Sequence, residues 1–436
     1  MRKLLLAPGL IYFLLMPITA AVAEPSTEPM VSYLMAHYNI SQTAATERIE
    51  LQGRADDIVG QMAHALGPAF GGVWFDNATG RYNVGVVANA PHSSALPYLE
   101  SHDIVDQTDF VSVRSSVADL ESGKERIDSE LSRWLSEGTV STGMDTETNS
   151  IVVHIASNLS NDQVAAIKSD AQSEPVEEKV VFEPTEDTRA YFTACQNHAF
   201  GTDPQVLFCD RSLRGGVTIF NHFSGGHTIC SLGFIVHNSQ GEYIMTAGHC
   251  LTEGDTNWLS AFSDFSEGNE STWAFIGDET GSYMGENGDY GWIKVVPSGS
   301  PWFPINAPSS VASLDPYGPW GENQEQFLEN ITWSARGDIN CHTGGSTDTQ
   351  CGEVLETDET VNIEGKLIGK LTRDTFCSAK GDSGGTVWGN HSGMGMDEAI
   401  NAPCGYGGAQ SWYTEAIRDA YFMGLSFYVP PYNETY

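Results

Sequence analysis

Two short strings carry side chains that could do chemistry: Thr246-Ala247-Gly248-His249-Cys250 and Gly381-Asp382-Ser383-Gly384-Gly385. Small residues on either side leave room for a substrate backbone to approach. His249 is a general base suited to neutral pH. Ser383 is a hydroxyl that becomes a nucleophile only beside such a base. Between them, Gly288-Asp289-Tyr290-Gly291 runs into the apolar Trp292-Ile293-Lys294-Val295-Val296, which puts an acid at the edge of a strand. Asp289 could fix the imidazole tautomer and stabilise the imidazolium. The backbone N–H groups of Gly381 and Ser383 could meet a developing oxyanion. Asp255, Asp264 and Asp278 are rival acids, but no apolar strand follows them, so they read as solvated loop charges. The order His, Asp, Ser points to peptide-bond hydrolysis through an acyl-enzyme, the chemistry of a serine endopeptidase. A peptide-binding protein without activity is the first alternative. An esterase is the second, because Gly381 to Gly385 also fits Gly-x-Ser-x-Gly, but in that fold the histidine follows the serine.

The elements that must position these residues differ between the two halves of the 436-residue chain. From about residue 212 onward, short apolar strands alternate with Gly- and Ser-rich turns: Gly216–Phe220, Thr228–Val236, Tyr243–Thr246, Tyr290–Val296, Val361–Leu371, Gly385–Trp388 and Ser411–Tyr413. Such spacing suits an all-β barrel or sandwich. Ala416 to Phe422 suits a short terminal helix. The first half is α/β. Glu47 to Leu66 has helical periodicity. Ala69 to Phe75 and Arg81 to Val87 flank a turn at Asp76 to Gly80, and Phe110 to Arg114 is a further strand. Val117 to Leu135 follows as a helix. Thr139 to Ser141 and Ser150 to Ile155 form a second hairpin, and Gln163 to Ser173 a last helix. The helix-hairpin pattern thus occurs twice. Residues 24 to about 45 are polar and read as disordered at their start.

Arg2 and Lys3, an apolar centre and Ala21-Val22-Ala23 read as a secretory signal peptide over residues 1–23. A spanning helix needs about 20 apolar residues, which Pro8 and Pro17 interrupt. The net charge of −36 argues against nucleic acid and anionic membranes as partners. All eight cysteines lie in the second half: Cys195, Cys209, Cys230, Cys250, Cys341, Cys351, Cys377 and Cys404. In a secreted chain an even number implies disulfides, with roughly a hundred possible pairings. No Cys-x-x-Cys pair supports zinc, and no motif calls for a metal or cofactor. Asn-x-Ser/Thr sequons at Asn39, Asn77, Asn158, Asn269, Asn330, Asn390 and Asn433 suggest surface loops.

From Gly215 to Tyr428 the chain resembles the chymotrypsin-fold serine proteases of the streptogrisin and α-lytic protease type. Arg214-Gly215-Gly216, Cys230 to Phe234, the histidine string, Gly288 to Gly291 and Cys377 to Gly385 carry the resemblance. It implies two six-stranded antiparallel β-barrels with the triad in the cleft between them. It also implies disulfides Cys230–Cys250, Cys341–Cys351 and Cys377–Cys404, with Cys195–Cys209 left by elimination. Leu66 to Trp74 and Thr148 to Val153 resemble the same family's propeptides, which implies a domain that assists folding and inhibits until removed. The resulting division is 1–23 signal peptide, 24–189 propeptide and 190–436 protease. The expected product is a monomeric, secreted, extracellular enzyme with polypeptide substrates and its own propeptide as partner. An accessory domain that stays attached is the alternative for the first half.

Three positions depart from the family pattern. His342 stands where a buried Arg usually pairs with the aspartate corresponding to Asp382. Either His342 replaces it and makes the oxyanion loop pH-sensitive, or it faces solvent and another group serves Asp382. Thr386 stands where Pro is usual. The expected pocket strand includes Asp397, Glu398, Ala399 and Ile400, with Thr375 and Phe376 at the pocket base. Ile400 would narrow the pocket towards small or medium apolar side chains, whereas an inward Asp397 would favour basic ones.

Overall fold

The computed structural model describes residues 28–428, apart from 56, 89, 173–178, 186–187, 193–194, 197–212, 224–225, 252–255, 262–272, 297–309 and 315–322. The signal peptide, Cys209, Asp255, Asp264, Asn269 and Asn433 lie outside the described residues.

The first half contains two units of like topology. In each, an antiparallel hairpin is joined by a third strand running parallel to its second member. The first unit pairs Phe70–Asp76, Arg81–Val87 and Thr108–Val113; the second pairs Val140–Asp145, Ser150–Ala156 and Lys179–Thr185. Asp76 holds the first hairpin turn, its Oδ1 accepting from the N–H groups of Ala78 and Thr79. The Val117–Glu130 helix starts at a capping box, with Ser116 and Asp119 satisfying each other's backbone N–H. Leu120, Ile127, Ile151, Val153 and Ile167 fill the core of the second unit.

The chain departs from its sequence pattern at several points in this half. The helix expected over Glu47 to Leu66 is two helices, Gln42–Arg54 and Ile58–Leu66. Asp57, at φ 51°, breaks it, a backbone region that Asp tolerates better than most residues. The stretch read as disordered contains the Glu28–Tyr38 helix. Its Met30 and Leu34 are buried with Phe234, Met245 and Trp388 of the second half. Packing against distant residues decides that helix, so local pattern did not reveal it.

In the second half, strands from Thr218–Phe223 to Gly288–Val295 form one antiparallel sheet around Ile219, Leu232, Ile244, Trp258 and Ile293. A second group of six pairs in the order Ile339–Gly344, Thr386–Gly389, Ser392–Ile400, Ser411–Glu415, Lys366–Asp374 and Asp348–Ile363, and the last pairs back with the first. The stretch Val361–Leu371, expected as one strand, is instead a hairpin. Glu364 and Gly365 turn it with φ values of 50° and 90°, the left-handed pair that a tight two-residue turn demands. Phe376, Val387, Met394 and Tyr413 pack inside the ring. The Ala416–Met423 helix closes the chain against the Ser392–Ile400 and Ser411–Glu415 strands.

The two halves share backbone ladders. Val140–Asp145 pairs with Asp348–Ile363, so the second unit's sheet continues into the C-terminal half. Arg189–Phe192 lies antiparallel to Ser392–Ile400, with Phe192 opposite Ala399 and Tyr191 opposite Ile400. Ala190 is fully buried beside Ala399 and Trp412. Among the described residues, disulfides join Cys230–Cys250, Cys341–Cys351 and Cys377–Cys404. Sequon positions Asn39 and Asn158 are exposed. Asn77, by contrast, is buried and donates to the Gly337 carbonyl, and Asn330 is buried, so neither sequon marks an open loop. Among the described residues no helix is long and apolar enough to cross a membrane.

Candidate active site

His249 sits in the Gly248–Cys250 turn that ends the Gly241–Thr246 strand. The Cys230–Cys250 disulfide ties this turn to the neighbouring Gly226–Ser231 strand. Asp289 is the second residue of Gly288–Val295 and is fully buried. Its Oδ1 accepts from the His249 backbone N–H at 2.8 Å, and its Oδ2 lies 2.5 Å from His249 Nδ1. His249 Nε2 lies 2.7 Å from Ser383 Oγ. One imidazole therefore links acid and hydroxyl through opposite nitrogens. Asp278, the rival acid within the described residues, is exposed and accepts from the Asn257 N–H instead.

The loop that presents Ser383 is fixed from beneath by Ser231, which sequence reasoning missed. Ser231 Oγ donates to the Gly381 carbonyl and its N–H donates to the Ser383 carbonyl. Thr246 Oγ1 donates in turn to the Ser231 carbonyl, so the strand leading to His249 also braces the serine loop. Gly381 has φ 105°, and a Cβ there would lie 2.2 Å from Ser346 Oγ. Only glycine fits this turn without displacing its neighbours.

Asp382 is fully buried. It accepts from the N–H groups of Ser346, Thr347 and Ala379 and from the Thr347 hydroxyl, at 2.7 to 3.0 Å. His342 is also fully buried, so it does not face solvent. It lies 3.9 Å from Asp382 and 3.1 Å from Thr347 Oγ1. Burial holds its pKa below the usual histidine range, against the pull of the Asp382 charge. Thr347 and three backbone donors thus serve the aspartate directly, with His342 one step behind them. A hydroxyl in a loop after His342 carries no sequence signal for this role.

The expected pocket residues scatter. Phe376 is packed between His342 and Tyr413. Thr375 Oγ1 lies 2.9 Å from Tyr33 Oη of the first helix and accepts from the Glu353 N–H. Asp397 is fully buried and accepts from Ser378 Oγ at 2.6 Å. Ala399 and Ile400 do lie along the strand that pairs with Arg189–Phe192. Glu398 turns the other way, its Oε2 3.5 Å from His249 Nδ1. The converging His249, Asp289 and Glu398 could be read as a metal set. Ligand bonds of about 2 Å would require parting His249 and Asp289, which are already within hydrogen-bonding distance.

The chain is 32% identical over 197 residues to streptogrisin-D of Streptomyces griseus, which covers 45% of this chain and 43% of that one. It is 27% identical over 214 residues to glutamyl endopeptidase 2 of the same organism, covering 49% of this chain and 96% of that one. Over these stretches the chain is similar to streptogrisin-type serine proteases. Serine protease 1 of Rarobacter faecitabidus aligns over 387 residues at 23% identity, 88% of this chain and 61% of that one. The streptogrisin-D and Rarobacter matches thus span less than two thirds of those relatives' lengths. Among solved structures, Thermobifida fusca protease A aligns with half of the chain at 19% identity and a TM-score of 0.38. No family model matches the chain.

Proposed function

We propose that the chain is a serine endopeptidase made as an inhibited precursor. The observation that carries the reading is the bridging of Asp289 and Ser383 by one imidazole, at 2.5 and 2.7 Å. In this mechanism His249 Nε2 takes the Ser383 proton as Oγ attacks the scissile carbonyl. Asp289, held by two donors from His249, keeps Nδ1 protonated and stabilises the imidazolium. The oxyanion is met by the Gly381 and Ser383 N–H groups, whose peptides Ser231 braces from the other side. His249 then gives its proton to the leaving amine, and water repeats the cycle to release the acyl group.

The first half acts as the inhibiting propeptide in this reading. The backbone ladder between Val140–Asp145 and Asp348–Ile363 supports it by seating the first half on the second, and the segment that crosses the 189/190 boundary lies on the Ser392–Ile400 strand edge, where an extended peptide occupies the path of a substrate. Processing near this strand separates residues 24–189 from 190–436, and residues 1–23 direct secretion. The substrates are polypeptides, with Ile400 favouring small or medium apolar side chains.

The test is fluorophosphonate labelling of the secreted, processed protein beside Ser383→Ala. Labelling that disappears in the variant supports the reading. Well-folded protein that takes no label would instead favour the peptide-binding alternative.

A further inference from the structure

Glu398 and Asp289 place two carboxylates against one imidazole nitrogen. Both are fully buried, and their nearest oxygens lie 3.5 and 2.5 Å from His249 Nδ1. Glu398 and Asp289 bring carboxylate oxygens within 4.8 Å of each other and of His249. Two buried carboxylates this close repel when both are ionised, and a proton kept on one of them removes the repulsion. Asp289 already accepts from the His249 N–H and from Nδ1, so its negative charge is the one that is solvated by donors. On its far side Glu398 Oε1 accepts from Thr414 Oγ1 at 3.4 Å. The other charged groups facing it are acids too: Asp397 beside it in the strand, and Asp419 on the terminal helix. Arg418 lies 4.0 Å from Asp419.

We propose that Glu398 is a positioning residue, a neutral carboxylic acid that donates a hydrogen bond to Asp289 and so holds the single anion in place on His249. This deepens the triad reading and rests on it. Burial drives the Glu398 carboxyl well above the usual range, and the charges of Asp289 and Asp419 push it the same way. Asp419 is itself pushed up to about 8, chiefly by burial, so the cluster holds protons at neutral pH. Raising the pH far enough to ionise Glu398 removes the donor and puts a second anion beside Asp289.

The test compares E398Q and E398A in the full chain, expressed and allowed to process. Gln keeps a donor at this position and cannot ionise. E398Q should stay within about 3-fold of wild type in kcat, with the acid limb of kcat/KM unmoved and the alkaline limb extended. E398A should lower kcat roughly 10-fold or more at unchanged KM, the loss expected when a hydrogen bond to a charged group is removed. An infrared band of a protonated carboxyl, present in wild type and absent in E398Q, reads the same proton without relying on activity. An acid limb that falls by about one unit in E398Q would show that Glu398 was an anion supporting the imidazolium, and would overturn the proposal. So would wild-type kinetics in E398A, or an infrared difference without that band. If wild type takes no fluorophosphonate label, the triad reading fails and takes this proposal with it. A labelled wild type with any of the overturning results refutes the role of Glu398 alone.

Discussion

Rising pH should loosen the first half from the second, and His154 is the residue that makes it so. His154, on Ser150–Ala156 of the first half, places Nε2 3.0 Å from Glu356 Oε2 and 3.7 Å from Glu359 Oε1 of the second. Nδ1 lies 3.9 Å from Glu183. Arg373 completes the cluster, 2.5 Å from Glu356 and 2.9 Å from Glu359. Burial alone would lower the His154 pKa. The hydrogen bond to Glu356 and the charges of Glu356 and Glu359 outweigh it, so the pKa is raised above 6.5. A histidine with a raised pKa in the bound state contributes its full stabilisation below about pH 6.5, its value when separated, and loses it as pH climbs through the raised value. Glu359, raised by burial, acts in the same direction.

Truncating one member of a buried, hydrogen-bonded charge pair costs about 2–5 kcal/mol of binding. The low end applies here because Arg373 still compensates both carboxylates. About 2 kcal/mol corresponds to a release roughly 30-fold faster in His154→Ala. The assay follows dissociation of the first half from processed chain, by the appearance of labelled Ser383, between pH 5.5 and 8.5. Wild type should release faster as pH rises. His154→Gln, which cannot take up a proton, should release at a nearly constant rate. The reasoning fails if wild-type release does not depend on pH, or if His154→Gln keeps the wild-type dependence.

Asp289→Asn should lower kcat by about 10,000-fold with the fold intact, since the amide favours the wrong imidazole tautomer; steady-state kinetics and circular dichroism check it. Gly381→Ala should cost about 100-fold in kcat at similar KM, because the new methyl displaces Ser346 and with it the oxyanion loop. Thr347→Val removes the hydroxyl donor of buried Asp382 and should lower stability by about 1–3 kcal/mol in denaturant unfolding. His342→Gln should leave the pH profile of kcat/KM unchanged, since Thr347 and backbone groups contact Asp382 in its place.

The candidate triad was legible because the signals for its residues are local. His249, Asp289 and Ser383 each sit in a string of small residues whose spacing survives any detail of packing. Most hairpins of the first half were legible for a similar reason, since Asp76 or Asn149 at the turn and alternating apolar residues act over a few positions. What sequence reading missed depends on partners far along the chain. The Glu28–Tyr38 helix buries Met30 and Leu34 only because Phe234 and Trp388 are there to receive them. The Glu364-Gly365 turn was overlooked because the apolar residues on both sides merged into one run. Thr347 and Ser231 are ordinary hydroxyl residues until the fold aims them at Asp382 and Gly381.

Glu398 shows the limit most clearly. An acid within an apolar strand reads as a pocket residue, because strand alternation predicts which face a side chain takes but not what waits there. Asp397 and Glu398 lie where the pairing of Ser392–Ile400 with Ser411–Glu415 slips by a residue, so simple alternation does not assign their faces. Asp397 meets Ser378 and Glu398 meets the His249 and Asp289 pair. Two buried acids in succession are costly unless each finds a donor or keeps its proton. The strand therefore carries its acids for what lies on each side of it, and the triad side is the one whose chemistry depends on a proton being kept.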